Sequence, residues 1–258
     1  MPASDLSLLI EAARKAGEVA AGFAAETAKR WDKPGGLGPV TEADLAVNDL
    51  LEEVLRGARP EYGWLSEESE DGAERLDCRR TFIVDPIDGT RSFIEGSGTW
   101  AHSLAVVEDG VVTAGVVFLP MRDKLYAAAA GQGATLNGVA MHVSDRRELT
   151  GASVLAAKPV YAPQHWRGAV PDVKRIYRPS LAYRLSVVAE GRADAMFTLR
   201  PTWEWDVAAG DVILREAGAA TSDRAGERLV FNNPHPQVNG VVAANPALHG
   251  AITGALVI

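Results

Sequence analysis

Two aspartates, Asp85 and Asp88, punctuate the run Phe82-Ile83-Val84-Asp85-Pro86-Ile87-Asp88-Gly89-Thr90. Thr81-Phe82-Ile83-Val84 reads as a compact buried strand, so both carboxylates are expected just past its carboxyl end. Pro86 ends the pairing, Gly89 permits a tight backbone path, and Thr90 can open a helix whose free amides favour a bound phosphate. Hard oxygen ligands beside an anion-binding helix end suit magnesium acting on a phosphate ester. Taken alone, the same residues also read as an ordinary Asp-Pro and Asp-Gly turn with two solvated carboxylates.

Further acids bear on that choice. Glu67 and Glu68 follow the short strand Gly63-Trp64-Leu65-Ser66, and Asp206 stands at the start of a helix expected over Val207 to Ala217. Singly, the glutamates read equally well as loop charges and Asp206 as a helix N-cap. The spacing also separates this motif from the Asp-x-Asp-Gly-Thr nucleophile of haloacid dehalogenases, because two residues stand between Asp85 and Asp88 and the motif lies past residue 80. Two unit charges ~4 Å apart repel by about 4 kcal/mol at an effective dielectric of 20, so carboxylates gathered together call for cations between them.

The elements that must position these side chains are legible from periodicity. Ser4 or Asp5 caps a helix with apolar residues Leu6, Leu9, Ile10, Ala13, Val19, Ala20 and Phe23, expected to end near Trp31. Lys33-Pro34-Gly35-Gly36-Leu37-Gly38-Pro39 is a loop or short hairpin. Thr41 opens a second helix through Leu45, Leu50, Leu51, Val54 and Leu55, stopped by Gly57 and Pro60. From Ser103 to Ala130 the pattern is antiparallel β, with turns at Asp109-Gly110 and Asn137-Gly138. Beyond about residue 150 strands and helices alternate: Ser153 to Ala157, Ser180 to Ala189, Ala195 to Thr198, then Val207 to Ala217. Residues 1–145 are thus expected to form helices plus an antiparallel sheet carrying most of the acids, and residues 146–258 an α/β part supplying Asp206.

Composition narrows the class. The chain has 258 residues, 47% apolar and 23% charged, an ordinary globular balance. A net charge of −8 argues against a nucleic-acid polymer as partner, since backbone binders carry a basic face. Cys78 is the only cysteine, so there is neither an intramolecular disulfide nor a cysteine-rich zinc site. The N-terminus lacks the basic start and apolar centre of a secretory signal, and no charge-free run approaches the ~18 residues of a membrane span. The expectation is a cytoplasmic protein that does not enter a membrane. No Gly-x-Ser-x-Gly elbow and no zinc-spaced histidines point to other hydrolytic chemistry.

Taken in order, Pro39-Val40-Thr41-Glu42-Ala43-Asp44, Glu67-Glu68-Ser69, Asp85-Pro86-Ile87-Asp88-Gly89-Thr90, Gly133-Ala134-Thr135-Leu136-Asn137-Gly138 and Trp205-Asp206-Val207-Ala208-Ala209-Gly210 resemble the inositol monophosphatase superfamily. The resemblance runs from about Lys33 to about Gly218. It implies a layered αβαβα sandwich of mixed α+β and α/β character, a homodimer, lithium sensitivity, and two or three Mg2+ ions. Glu67, Asp85, Asp88 and the Ile87 carbonyl would surround the first ion, and Asp85, Asp88 and Asp206 the second. It further implies direct attack of metal-bound water on phosphorus, with Thr90 and Asp44 orienting and deprotonating the water, Glu67 contributing, and the amides of Gly89 and Thr90 holding phosphate. Lys33 matches a family lysine expected near the phosphate or the water.

The periphery points to the substrate. Arg91 after Thr90, and Trp203-Glu204-Trp205-Asp206, are similar to the 3′(2′),5′-bisphosphate nucleotidase branch, as is Ser180-Leu181-Ala182-Tyr183-Arg184-Leu185. Leu199 stands where inositol monophosphatases carry a glutamate that contacts substrate hydroxyls. The resemblance therefore implies removal of the 3′-phosphate of 3′-phosphoadenosine 5′-phosphate, a by-product of sulfate activation, with Arg91 and Arg184 meeting a second phosphate and Tyr183 or Trp203 stacking on the base. Inositol 1-phosphate or another sugar phosphate is the alternative substrate, and an inactive binding or regulatory homologue the alternative role.

Overall fold

A computed structural model describes residues 4–23, 28–36 and 38–257. Residues 24–27 of the expected first helix and Leu37 of the expected loop lie outside them. Helix α1 spans Asp5–Ala21, with the Ser4 hydroxyl accepting from the Ser7 amide. It stops sooner than its pattern suggested: Gly22 caps it by donating to Val19 and Ala20, and Trp31 instead belongs to the strand Arg30–Asp32, paired antiparallel with Pro39–Thr41. Helix α2, Glu42–Ala58, opens on a reciprocal cap in which the Thr41 hydroxyl accepts from the Asp44 amide and the Asp44 carboxylate accepts from the Thr41 amide.

Among the described residues, a seven-stranded sheet runs Gly63–Ser66, Arg80–Asp88, Ala101–Glu108, Val111–Leu119, Lys124–Ala129, Ala134–Leu136, Val139–Ala140. Its first pair is parallel and the rest antiparallel. The strand bearing Asp85 and Asp88 does not end at Pro86 as the missing N–H suggested. It continues to Asp88 through a register shift, with Asp85 opposite Ser103 and Asp88 opposite Ala101. Gly89 then takes a left-handed conformation, φ 99°, which an L side chain resists, and the short helix α3, Thr90–Ile94, follows.

The second sheet has five strands in the order Lys174–Ile176, Ser153–Leu155, Ala195–Thr198, Val241–Ala244, Ala220–Ser222. Helices α4, Leu181–Ala189, and α5, Glu204–Glu216, lie between the two sheets, while α6, Pro246–Ala255, covers the far face. The alternation is αβαβα. On one face of the larger sheet Leu9, Ala13, Leu51 and Leu55 meet Phe82, Val84, Leu104 and Val116; on the other, Ile83, Ala105 and Val117 meet Leu185, Ala208 and Val212. That two-sided burial explains the near-continuous apolar runs of the central strands. No helix among the described residues is long and apolar enough to cross a membrane.

Gly115 lets α5 approach the sheet closely. A Cβ there would sit 2.9 Å from the Ala209 carbonyl oxygen and 3.0 Å from its Cα, backbone atoms that cannot swing aside. Gly115→Ala should therefore push the helix carrying Asp206 outward and lower stability by about 1–3 kcal/mol, measured by denaturant unfolding.

Candidate metal centre and active site

Three separate elements deliver the acids. Asp85 and Asp88 flank the irregular pairing of strand Arg80–Asp88, Asp206 lies in the first turn of α5, and Glu67 follows Gly63–Ser66. Asp206 is inside its helix rather than capping it, because α5 begins at Glu204 with Trp203 as N-cap. Buried Glu204 anchors that start by accepting from the Asn232 amide at 2.7 Å and the Asn233 amide at 3.0 Å. The Ser103 hydroxyl donates to the Trp205 carbonyl at 2.9 Å. Asn48 of α2 steadies the glutamate loop, accepting from Ser66 at 2.7 Å and donating to Ser69 at 3.1 Å.

One carboxylate oxygen from each of Asp85, Asp88 and Asp206 lies within 4.8 Å of the others. Asp88 is held in place by α4: its Oδ2 accepts from the Ser180 hydroxyl and the Ala182 amide, both at 2.6 Å. Buried Asp85 Oδ1 has no hydrogen-bond partner among the described residues. Burial pushes the Asp88 carboxyl up to about 6 despite those bonds. Burial, then the charges of Glu67, Asp88 and Asp206, raises Asp85 well above the carboxylate range. Asp206 is raised by burial, then by Asp88 and Glu67. A clustered set of hard oxygens with one orphaned and buried is what an oxygen-loving divalent cation satisfies, so the residues fit such an ion.

Glu67 faces this group but is not within it. Its Oε1 accepts from Lys33 Nζ at 2.9 Å, and Glu68 takes the same ammonium at 2.6 Å. Lys33, expected near the phosphate or the water, pairs in this structure with the two glutamates. Burial and the Glu67 charge raise Glu68 to about 7. Buried Asp44 accepts from Thr41 at 2.8 Å (amide) and 2.5 Å (hydroxyl), and from the Thr90 hydroxyl at 3.2 Å. The Thr90 hydroxyl also lies 3.2 Å from the Ile87 carbonyl.

Two recesses meet this centre. A groove of about 680 Å³ is lined by Glu67, Gly89, Thr90, Arg91, Tyr177 and Arg200 among others. A second of about 590 Å³ runs from Asp88 and Asp206 past Arg184, Arg200, Tyr177 and His165 to an apolar wall of Val160, Leu181, Phe197 and Leu199. Arg184 donates through Nε to the Arg178 carbonyl and lies over the Tyr177 ring. Neither expected aromatic platform is in these recesses. Tyr183 is 1% exposed, in the core between the sheets, because the first turn of α4 points it inward. Trp203 stacks on Trp205 at 4.7 Å and meets His235. Arg200, which lines both recesses, escaped the sequence reading; its signal was a lone basic residue six positions before Asp206.

The Inositol monophosphatase family model matches residues 2–257. The chain belongs to the inositol monophosphatase family. It is 35% identical over 232 residues to an inositol-1-monophosphatase of Rhizobium meliloti (strain 1021), covering 86% of each chain. It is 32% identical over 252 residues to the Nus factor SuhB of Escherichia coli (strain K12), covering 93% of this chain and 91% of that one. Among solved structures, the IMPase of Thermotoga maritima superposes with a TM-score of 0.79 at 27% identity, over 97% of this chain and 94% of that one. Members of the inositol monophosphatase family are phosphoric monoester hydrolases, and this chain is one.

The raised carboxyls give a pH signature. Protons bound by the folded protein and not by the unfolded chain stabilise it below the unfolded pKa, and that stability is lost as pH rises through the folded values. For Asp88, 3.8 to about 6 corresponds to roughly 3 kcal/mol. In chelator the melting temperature should fall as pH is raised from about 5 to about 8, and Mg2+ should reverse the fall at the upper end.

Proposed function

We propose that this chain is a magnesium-dependent phosphomonoesterase acting on a small phosphate ester that carries a second anionic group, with 3′-phosphoadenosine 5′-phosphate as the leading substrate. The recess beside Asp88 and Asp206 carries this reading: it offers two guanidiniums, Arg184 and Arg200, and an apolar wall that includes Leu199. Guanidinium pairs suit phosphate, whereas a polyol asks for acceptors that leucine lacks. Arg91, lining the adjoining groove, adds a third positive group.

Asp85, Asp88 and Asp206 would hold magnesium, with Glu67 and the Ile87 carbonyl at its margin. When bound, the ion supplies Lewis acidity, offsetting charge on the phosphate oxygens and on the leaving oxygen. The Thr90 hydroxyl gives its hydrogen to Asp44 at 3.2 Å, which leaves the Thr90 oxygen free to accept from a water in the groove and orient it. Burial raises Asp44, so it can hold a proton passed along that path. Gly89 and Thr90 line the groove where the phosphate would lie.

The named activity of the Rhizobium relative favours a second reading, inositol 1-phosphate hydrolysis. Phosphate release from both substrates with Mg2+ separates the two; faster turnover of inositol 1-phosphate would overturn the first. Asp88→Asn should lower kcat roughly 10³-fold on either substrate. Arg200→Ala should raise KM for the bisphosphate by roughly 10-fold or more while changing inositol 1-phosphate hydrolysis by no more than about twofold, as expected for losing a charged hydrogen bond to the second phosphate alone.

A further inference from the structure

His102, in the strand next to the acidic one, turns its ring to the side of the sheet facing α1 and α2, with Trp100 and Phe118. Because Asp85 pairs with Ser103 and Asp88 with Ala101, the two residues Pro86 and Ile87 are opposed by the single residue His102. Such a bulge disrupts the backbone ladder, and Pro86 brings no N–H to repair it. The repair comes from a side chain: His102 Nδ1–H donates to the Pro86 carbonyl. A carbonyl only accepts, so this contact fixes the tautomer with the hydrogen on Nδ1. Nε2 is then bare and buried, with no partner among the described residues.

That arrangement is costly. The ring is 0% exposed, edge-on to Trp100 at 5.4 Å and tilted against Phe118 at 6.3 Å. An apolar side chain of similar volume would fill the space without an unmade hydrogen bond. Burial lowers the imidazole pKa to about 4, so the ring is neutral at ordinary pH and contributes no charge to the acids in front. What the imidazole adds over an apolar residue is the bond to Pro86. The next carbonyl, that of Ile87, lies 3.2 Å from the Thr90 hydroxyl, whose one hydrogen goes to Asp44. Of the three peptide planes between Asp85 and Asp88, the one that carries the Pro86 carbonyl is thus held by the His102 side chain.

We propose that His102 is a positioning residue for the metal centre: its Nδ1–H fixes the Pro86 carbonyl and so sets the spacing and direction of Asp85 and Asp88. This rests on the metal-dependent reading of the same site. Asparagine can place an amide N–H where Nδ1 stands, whereas glutamine reaches toward the position of Nε2. Phe118→Leu disturbs the same packing without touching the donor.

Mg2+ titrations without substrate, read by the rise in melting temperature and by tryptophan fluorescence beside Trp100, compare the unmodified protein with His102→Asn, His102→Gln and Phe118→Leu. His102→Gln should raise the half-saturating Mg2+ about 10-fold or more, the range for losing a group that orients a metal ligand, and His102→Asn should restore it to within about twofold. Phe118→Leu should lower the melting temperature in chelator with half-saturation unchanged. Equal half-saturation in all four proteins, or equal loss in the Asn and Gln variants, would make His102 a packing residue and overturn the assignment while leaving the metal reading intact. Absence of any Mg2+ response in the unmodified protein would remove that reading and the assignment together.

Discussion

Carboxylates that repel one another hold the centre of this molecule, and much of its architecture is needed to keep them together. Asp85, Asp88 and Asp206 approach within 4.8 Å, with Glu67 close enough to raise all three. At an effective dielectric of 20, each such pair costs about 4 kcal/mol when both members are ionised. The fold meets that cost from behind: Ser180 and Ala182 on Asp88, Thr41 on Asp44, Lys33 on Glu67 and Glu68. Buried Asp85 Oδ1 is left without a partner among the described residues. A cation is the remaining means of balancing the group.

On the proposed reading, the acids would govern where phosphorus sits and the arginines what else the substrate carries. These are different parts of the chain. The centre is built on the bulged strand and the first turn of α5, whereas Arg184 belongs to α4 and Arg200 to the segment before α5. Chemistry and selectivity can therefore vary separately, which suits a family whose relatives carry different names at similar identity to this chain.

The centre was more legible in the sequence than its frame. The Asp85 to Thr90 run suggested a metal site but also read as a plain turn, and it was the ordered set of family motifs that joined Asp206 and Asp44 to it. Strands bounded by strong turns, such as those meeting at Asp109-Gly110, were legible by themselves. Three kinds of signal were hidden. Pro86 suggested a strand end, yet a bulge and a histidine from the next strand carried the pairing onward. Tyr183 and Trp203 are amphipathic residues whose direction depends on helix phase and on neighbours, which spacing alone does not fix. The strands Lys174–Ile176 and Ala220–Ser222 are three residues each, too short for a period to show. Arg200 had no partner in sequence, since its meaning comes only from the recess it enters.

The order of strands in the larger sheet has a kinetic consequence. Every strand there pairs with its neighbour in sequence, so each pairing closes a short loop at small entropic cost. Asp206, by contrast, returns to Asp85 across more than a hundred residues, and α5 must seat before that approach is made. Contacts of low sequence separation form with the least loss of chain freedom. The meander can thus bury the face that meets α1 and α2 while Asp206 is still apart from Asp85 and Asp88, and the repulsion that Asp206 adds is met only at the last closure. Assembly of the sheet does not wait on balancing the charge that the finished protein gathers at its end.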